Sequence, residues 1–162
     1  MDTVGLTGSD NYFEHFAVGD RMRHPRGKTI TDFELSTLCH LVMNTAQAHF
    51  NEHLMSSSPF GERIAFGGIT ASIVIGLAMQ DTGEQALAEL GIDGMRLREP
   101  VKLGDTIYAL SEVAATEPSR RDDAGEVTFR HWGINQRDEV VLEATRRVLI
   151  RRRPQPEHGA QR

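Results

Sequence analysis

Fourteen consecutive residues without a charge, Gly67–Gln80, leave this chain few ways to fold. Ile69, Thr70, Ile73, Val74 and Ile75 favour a strand by propensity. The run is too long for one strand, however, and lacks strict alternation, so it reads as a helix buried on nearly all sides. Its small residues Ala71, Ser72, Gly76 and Ala78 let other backbone come close. The apolar part, Ile69–Met79, is interrupted by Thr70, Ser72 and Gly76 and is too short to span a membrane.

The elements around this helix follow a definite order. Arg21–Thr31 reads as a strand. Thr31 and Glu34 form a helix-start signal, a capping residue with a glutamate three positions on. Leu35, Leu38, Cys39 and Val42 then recur at helical spacing, and the helix ends near Asn44. A loop-rich stretch, Thr45–Phe66, leads to the buried helix. From Gly91 onward the pattern is β: a strand at Met95–Pro100, a Gly104-Asp105 turn, a strand at Thr106–Ala114 and a polar loop at Glu117–Gly125. Glu126–Ile134 and Glu139–Ile150 form a hairpin around Asn135–Asp138. Leu142, Ala144, Val148 and Ile150 mark the apolar face of the last strand, interrupted by Arg146. This order gives an α+β fold, with a long antiparallel sheet able to wrap around the apolar helix. Such a sheet has open edges. Pairing two copies covers an edge and completes a pocket, so a homo-oligomer, a dimer or a multiple of dimers, is expected.

At 162 residues the chain is expected to be one domain, residues 11–150, between tails at 1–10 and 151–162. The net charge of -5 offers nucleic acid no basic surface, and Arg151–Arg153 reads as a solvated terminus. Cys39 is the only cysteine, which rules out an intramolecular disulfide and a Cys-rich zinc site. The first ten residues lack the basic start and apolar stretch of a secretory signal. A soluble, cytoplasmic protein without a membrane partner is expected.

Chemistry concentrates between Asn44 and Thr70. The stretch Asn44-Thr45-Ala46-Gln47-Ala48-His49-Phe50-Asn51-Glu52-His53 precedes Phe66-Gly67-Gly68-Ile69-Thr70. Here the sequence resembles the MaoC-like hydratase family, which includes the R-specific enoyl-CoA hydratases. Its pattern is an aspartate, a histidine five residues on, and a His-Gly pair opening the central helix. His49 matches the histidine. Asn44 stands in the aspartate position and Phe66-Gly67 in the His-Gly position. Arg98–Thr106 looks like the family's strand–turn–strand signature. The segments His24-Pro25-Arg26-Gly27 and Asn44-Thr45-Ala46 resemble the branch that includes mesaconyl-CoA hydratase-like proteins. The resemblance implies a hotdog fold, a sheet around one long helix, and an acyl-CoA thioester substrate whose chain is short and branched or dicarboxylic. CoA then arrives with the substrate. No nucleotide-binding glycine motif appears, so no bound redox cofactor is expected.

The chemistry can be reasoned separately. Hydrating an α,β-unsaturated thioester puts water on Cβ, a proton on Cα, and transient negative charge on the thioester oxygen. Backbone N–H groups at a helix start stabilise that charge, and Gly67 and Gly68 let a substrate approach them. Histidine suits the proton transfer, so His49 is the acid/base candidate. Asn44 cannot take a proton as aspartate does, but its amide can orient a water or the imidazole. Five residues turn about 140° on an ideal helix, so Asn44 and His49 converge only if the helix breaks between them. Arg26 and Arg63 are candidates for a substrate carboxylate or the CoA phosphates. Glu52 and His24 stay open as a second proton-transfer group.

Plainer readings stand beside these. His49 can be a buried histidine satisfied by a carbonyl, Asn44 a helix end, the two glycines packing residues, and the arginines surface groups. His49-Phe50-Asn51-Glu52-His53 also matches a His-x-x-Glu-His zinc pattern, but the match is short and no metal is expected. A thioesterase on the same fold and a non-catalytic partner subunit are the alternative functions.

Overall fold

The computed structural model describes residues 11–154. A 3-10 turn, Phe13–His15, leads into β1 (Arg21–Thr29) and α1 (Asp32–Leu41). Two short helices follow, α2 (Gln47–Phe50) and α3 (Glu52–Met55), then α4 (Gly67–Thr82). The chain closes with β2 (Ala86–Leu97), β3 (Thr106–Pro118), β4 (Ala124–Ile134) and β5 (Val140–Arg151). The strands form one antiparallel sheet in the order β1-β3-β4-β5-β2. Helix α4 lies across β1, β3, β4 and β5, which is the hotdog arrangement.

Local chemistry accounts for these boundaries. Thr31 caps α1 by accepting from the Glu34 N–H at 3.3 Å, and Glu34 reaches back to the Thr31 N–H at 3.4 Å. Helix α1 stops three residues short of Asn44 because Met43 turns into the left-handed region at φ 58°. The Met43 N–H then donates to the His40 carbonyl and the Asn44 N–H to that of Cys39, which closes a Schellman end. The expected loop from Thr45 to Phe66 holds α2 and α3, each too short to show a helical period.

Strand β2 starts nine residues before the expected Met95. Its pairing with β5 shifts register at Ala86/Ala88, Glu89/Gly91 and Asp93/Arg96. Each shift resets the alternation of faces, so a period-two pattern cannot be seen in the sequence. The last strand runs one residue further than expected. Arg151 ends β5, and Arg152 and the backbone of Arg153 are tied to the Glu14 carboxylate at 3.1 and 2.9 Å. A tail was expected from Arg151, and residues 151–154 of it are described; the rest of that tail and residues 1–10 lie outside the described residues.

The interior divides into two apolar clusters. One lies between α1, the first half of α4 and the sheet, with Leu35, Cys39, Ile69, Val74, Ile107 and Leu142 at its centre. The other gathers Phe16, Met22, Val113, Val127, Phe129 and Val148, with Phe16 edge-on to Phe129 at 5.2 Å. No helix among the described residues is long and apolar enough to cross a membrane.

Candidate active site

His49 is carried on α2, whose first turn begins directly after the α1 end. The Asn44 Oδ1 accepts from the Ala46 N–H at 3.0 Å, a side-chain turn that redirects the backbone. The expected break between Asn44 and His49 is therefore present: α1 ends at Leu41 and α2 starts at Gln47. A backbone bond from Ile64 N–H to the Ala48 carbonyl, 3.2 Å, stitches α2 to the segment that enters α4.

That segment also fixes the imidazole. The Nδ1 of His49 lies 2.8 Å from the Ile64 carbonyl, which only accepts, so Nδ1 carries the proton. The ring is buried and stands 5.7 Å from that of Phe66, the residue preceding the first turn of α4. Nε2 has no hydrogen-bond partner among the described residues, and in this tautomer it is a free acceptor. Half of the plain reading therefore holds, since a carbonyl does satisfy one nitrogen. The other nitrogen has no such partner among the described residues.

Both glycines are closely covered. A Cβ on Gly67 would lie 2.2 Å from Leu97 Cδ1, and one on Gly68 would lie 2.6 Å from the Phe66 ring. Two recesses lie at the start of α4. One is lined by Phe60, Ile64, Gly67, Thr70, Leu97 and Pro100. The other is apolar and formed by Leu38, Val42, Phe66, Gly68, Ile69 and Ile73.

The two arginines part company here. Arg63 is held between carboxylates, donating to Glu52 at 2.7 Å and Asp32 at 2.9 Å, which braces α1, α3 and the loop before α4. Arg26 is exposed within the irregularity between Arg23 and Gly27 of β1, with no ion-pair partner among the described residues. Of the two open proton-transfer candidates, Glu52 is engaged by Arg63. His24 is at the other end of α4, bonded to Asp81 at 2.5 Å. His49 and His53 stand on separate helices divided at Asn51, and His53 is exposed. No group of three or more metal-ligating side chains occurs among the described residues.

Comparison with known proteins now decides the lineage. Residues 14–152 match the family model described as mesaconyl-CoA hydratase. The chain belongs to that family. It is 34% identical over 131 residues to the mesaconyl-CoA hydratase of Haloarcula marismortui, covering 80% of this chain and 36% of that one. It is 36% identical over 161 residues to the beta-methylmalyl-CoA dehydratase of Chloroflexus aurantiacus, covering 93% and 44%. Among solved structures, a Mycobacterium tuberculosis protein described as having a double hotdog fold superposes with a TM-score of 0.81 at 20% identity, covering 98% of this chain and 48% of that one. The chain thus spans less than half the length of these relatives.

A buried polar group was not legible as a unit in the sequence. His24 of β1, Asp81 of α4, Ser111 of β3 and His131 of β4 form a continuous chain of hydrogen bonds at 2.5, 2.8 and 2.7 Å. Beside it, Arg146 of β5 donates to the Thr82 hydroxyl at 3.0 Å and to Glu89 of β2 at 2.8 Å. The one outward sign was Arg146 breaking the apolar face of the last strand.

Proposed function

We propose that this chain is a hydratase/dehydratase unit acting on a short enoyl-CoA thioester, with His49 as acid and base. The observation that carries this reading is the free Nε2 of a buried histidine whose ring packs on Phe66 at the entry to α4. In the hydration direction, Nε2 takes a proton from water as the water oxygen bonds to Cβ. The imidazolium then delivers a proton to Cα, so one water is consumed and His49 returns to its neutral form. In this reading the N–H groups at the start of α4 stabilise the oxygen on which charge builds, once the Leu97 and Phe66 side chains that cover Gly67 and Gly68 have moved aside.

Asn44 has its Oδ1 committed to Ala46, and its Nδ2 is the donor it can offer to the water or the thioester. Arg26, which has no ion-pair partner among the described residues, suits a substrate carboxylate or the CoA phosphates better than Arg63, which two carboxylates hold. The names of the relatives favour a short dicarboxylic acyl group. CoA enters as part of the substrate with no further cofactor, and the work is placed in the cytoplasm.

A second hotdog unit completes the assembly in this reading, and a homodimer supplies it. Strand β2 is an edge strand with Leu90, Ile92, Met95 and Leu97 all exposed. An edge of this kind invites pairing with another chain. The double-length relatives are consistent with two units working together. Light scattering is expected to give twice the chain mass; a monomeric mass would sink the homodimer.

The activity test follows two signals on short enoyl-CoAs, mesaconyl-CoA included. Loss of the conjugated thioester absorbance without release of free thiol is the expected result. Free thiol would indicate a thioesterase. Binding without either signal would indicate the partner subunit that Asn44 and Phe66 otherwise suggest.

A further inference from the structure

The core carries a polar belt where an apolar one is expected. On β3, Ser111 stands between Ala109 of the first apolar cluster and Val113 of the second. On β5, Arg146 stands likewise between Ala144 and Val148. Ser111 and His131 are direct partners in the β3–β4 ladder. His24, Asp81, Ser111, His131 and Arg146 are each at most 3% exposed.

The belt grips one place on α4. Asp81 meets His24, the Asp81 carbonyl accepts from Asn11 Nδ2 at 2.9 Å, and the Thr82 hydroxyl meets Arg146. A carboxylate in the last turn of a helix opposes the helix dipole, and burial adds a desolvation cost. Asp81 therefore adds little that an apolar residue would not supply in stability. What directional bonds add is registry, since apolar packing resists sliding and rotation weakly. Along α4, Ala71, Val74 and Ala78 face inward, and Ser72 and Gly76 face out. Moving the helix by one residue shifts it about 1.5 Å and turns it about 100°.

We propose that Asp81 and His24 are positioning residues that set the axial and rotational place of α4, and through it the aim of the Gly67–Gly68 turn at the other end. This rests on the reading of that turn as the oxyanion site. The lever is the helix itself, roughly 21 Å from Asp81 to Gly67 at 1.5 Å per residue. The role also accounts for the His24-Pro25-Arg26-Gly27 segment, whose histidine is far from His49.

The experiment compares Asp81→Ala, Asp81→Asn and a control, Val127→Ala, which thins the second apolar cluster without touching the belt. All are tested as the assembled full chain. Asp81→Ala is expected to lower kcat by up to about 100-fold with KM little changed, the scale of a 1 Å misplacement. Asp81→Asn, which keeps an acceptor for His24, is expected to recover most of it, and Val127→Ala to leave kcat unchanged. Equal losses in Asp81→Ala and Val127→Ala would overturn the proposal, as would failure of Asp81→Asn to exceed Asp81→Ala. Should Asp81→Ala not fold, His24→Gln takes its place with the same expectation. A second readout does not depend on turnover: the amide resonances of Gly67 and Gly68 are expected to shift in Asp81→Ala and not in Val127→Ala. If the wild type hydrates no enoyl thioester, the functional reading falls, and these resonances alone decide whether the far end of α4 is set by Asp81.

Discussion

Replacing His49 by alanine is expected to lower kcat for hydration by about 10²- to 10⁴-fold, the usual range for a positioned proton-transfer group. KM should move little, because in the proposed reaction the imidazole acts on the water and the α-carbon, while affinity for a CoA thioester would come from contacts elsewhere. His49→Gln is the sharper companion. Its amide can still donate to the Ile64 carbonyl, the bond His49 makes at 2.8 Å, and fill much of the space beside Phe66. It cannot carry a proton between water and Cα. Both variants should therefore lose activity alike, with circular dichroism and melting midpoint near wild type for the glutamine form. Activity retained by His49→Gln would mean that the ring serves packing and hydrogen bonding only, and a different acid/base would have to be found.

Much of the candidate site was readable because it depends on local chemistry. The Thr31–Glu34 capping box and the uncharged run at Gly67 each announce their element within a few residues. The need for a break between Asn44 and His49 follows from helix geometry alone. The device that makes the break was not readable, because a methionine in the left-handed region carries no glycine signal. The start of strand β2 was placed too late for a related reason, since three register shifts erase the alternation that marks a strand.

The polar belt was hidden for another reason. Its members are scattered from Asn11 to Arg146, and each alone resembles an ordinary surface residue. Only the sheet order β1-β3-β4-β5-β2 links His24, Ser111 and His131 and sets His24 and Arg146 against the last turn of α4. Arg63 shows the converse. Its sequence context fitted a substrate contact, but Asp32 and Glu52 approach it from two helices and make it a brace. Pairing between distant segments decides such cases, and a single sequence does not record it.

The same belt should make the fold sensitive to mild acid through His131. Burial, then the positive charge of Arg146 and His24, pushes its pKa down from 6.5 to about 3. The unfolded chain therefore binds a proton below pH 6.5 that the native state refuses until about pH 3. Stability is full above pH 6.5 and falls as pH drops through that window, by about 1.4 kcal/mol per pH unit from this group alone. Between pH 7 and 5 the loss from His131 is about 2 kcal/mol, at a pH where exposed carboxylates still titrate little. His131→Asn separates this effect from the rest of the protein. Asparagine can keep a partner for the Ser111 hydroxyl, now 2.7 Å from His131 Nδ1, but has nothing to titrate. Urea unfolding at pH 7 and pH 5 should show the wild type losing stability and the variant losing about 2 kcal/mol less over the same interval. Parallel losses in the two proteins would show that His131 accepts its proton in the folded state, and that the buried belt tolerates the added charge.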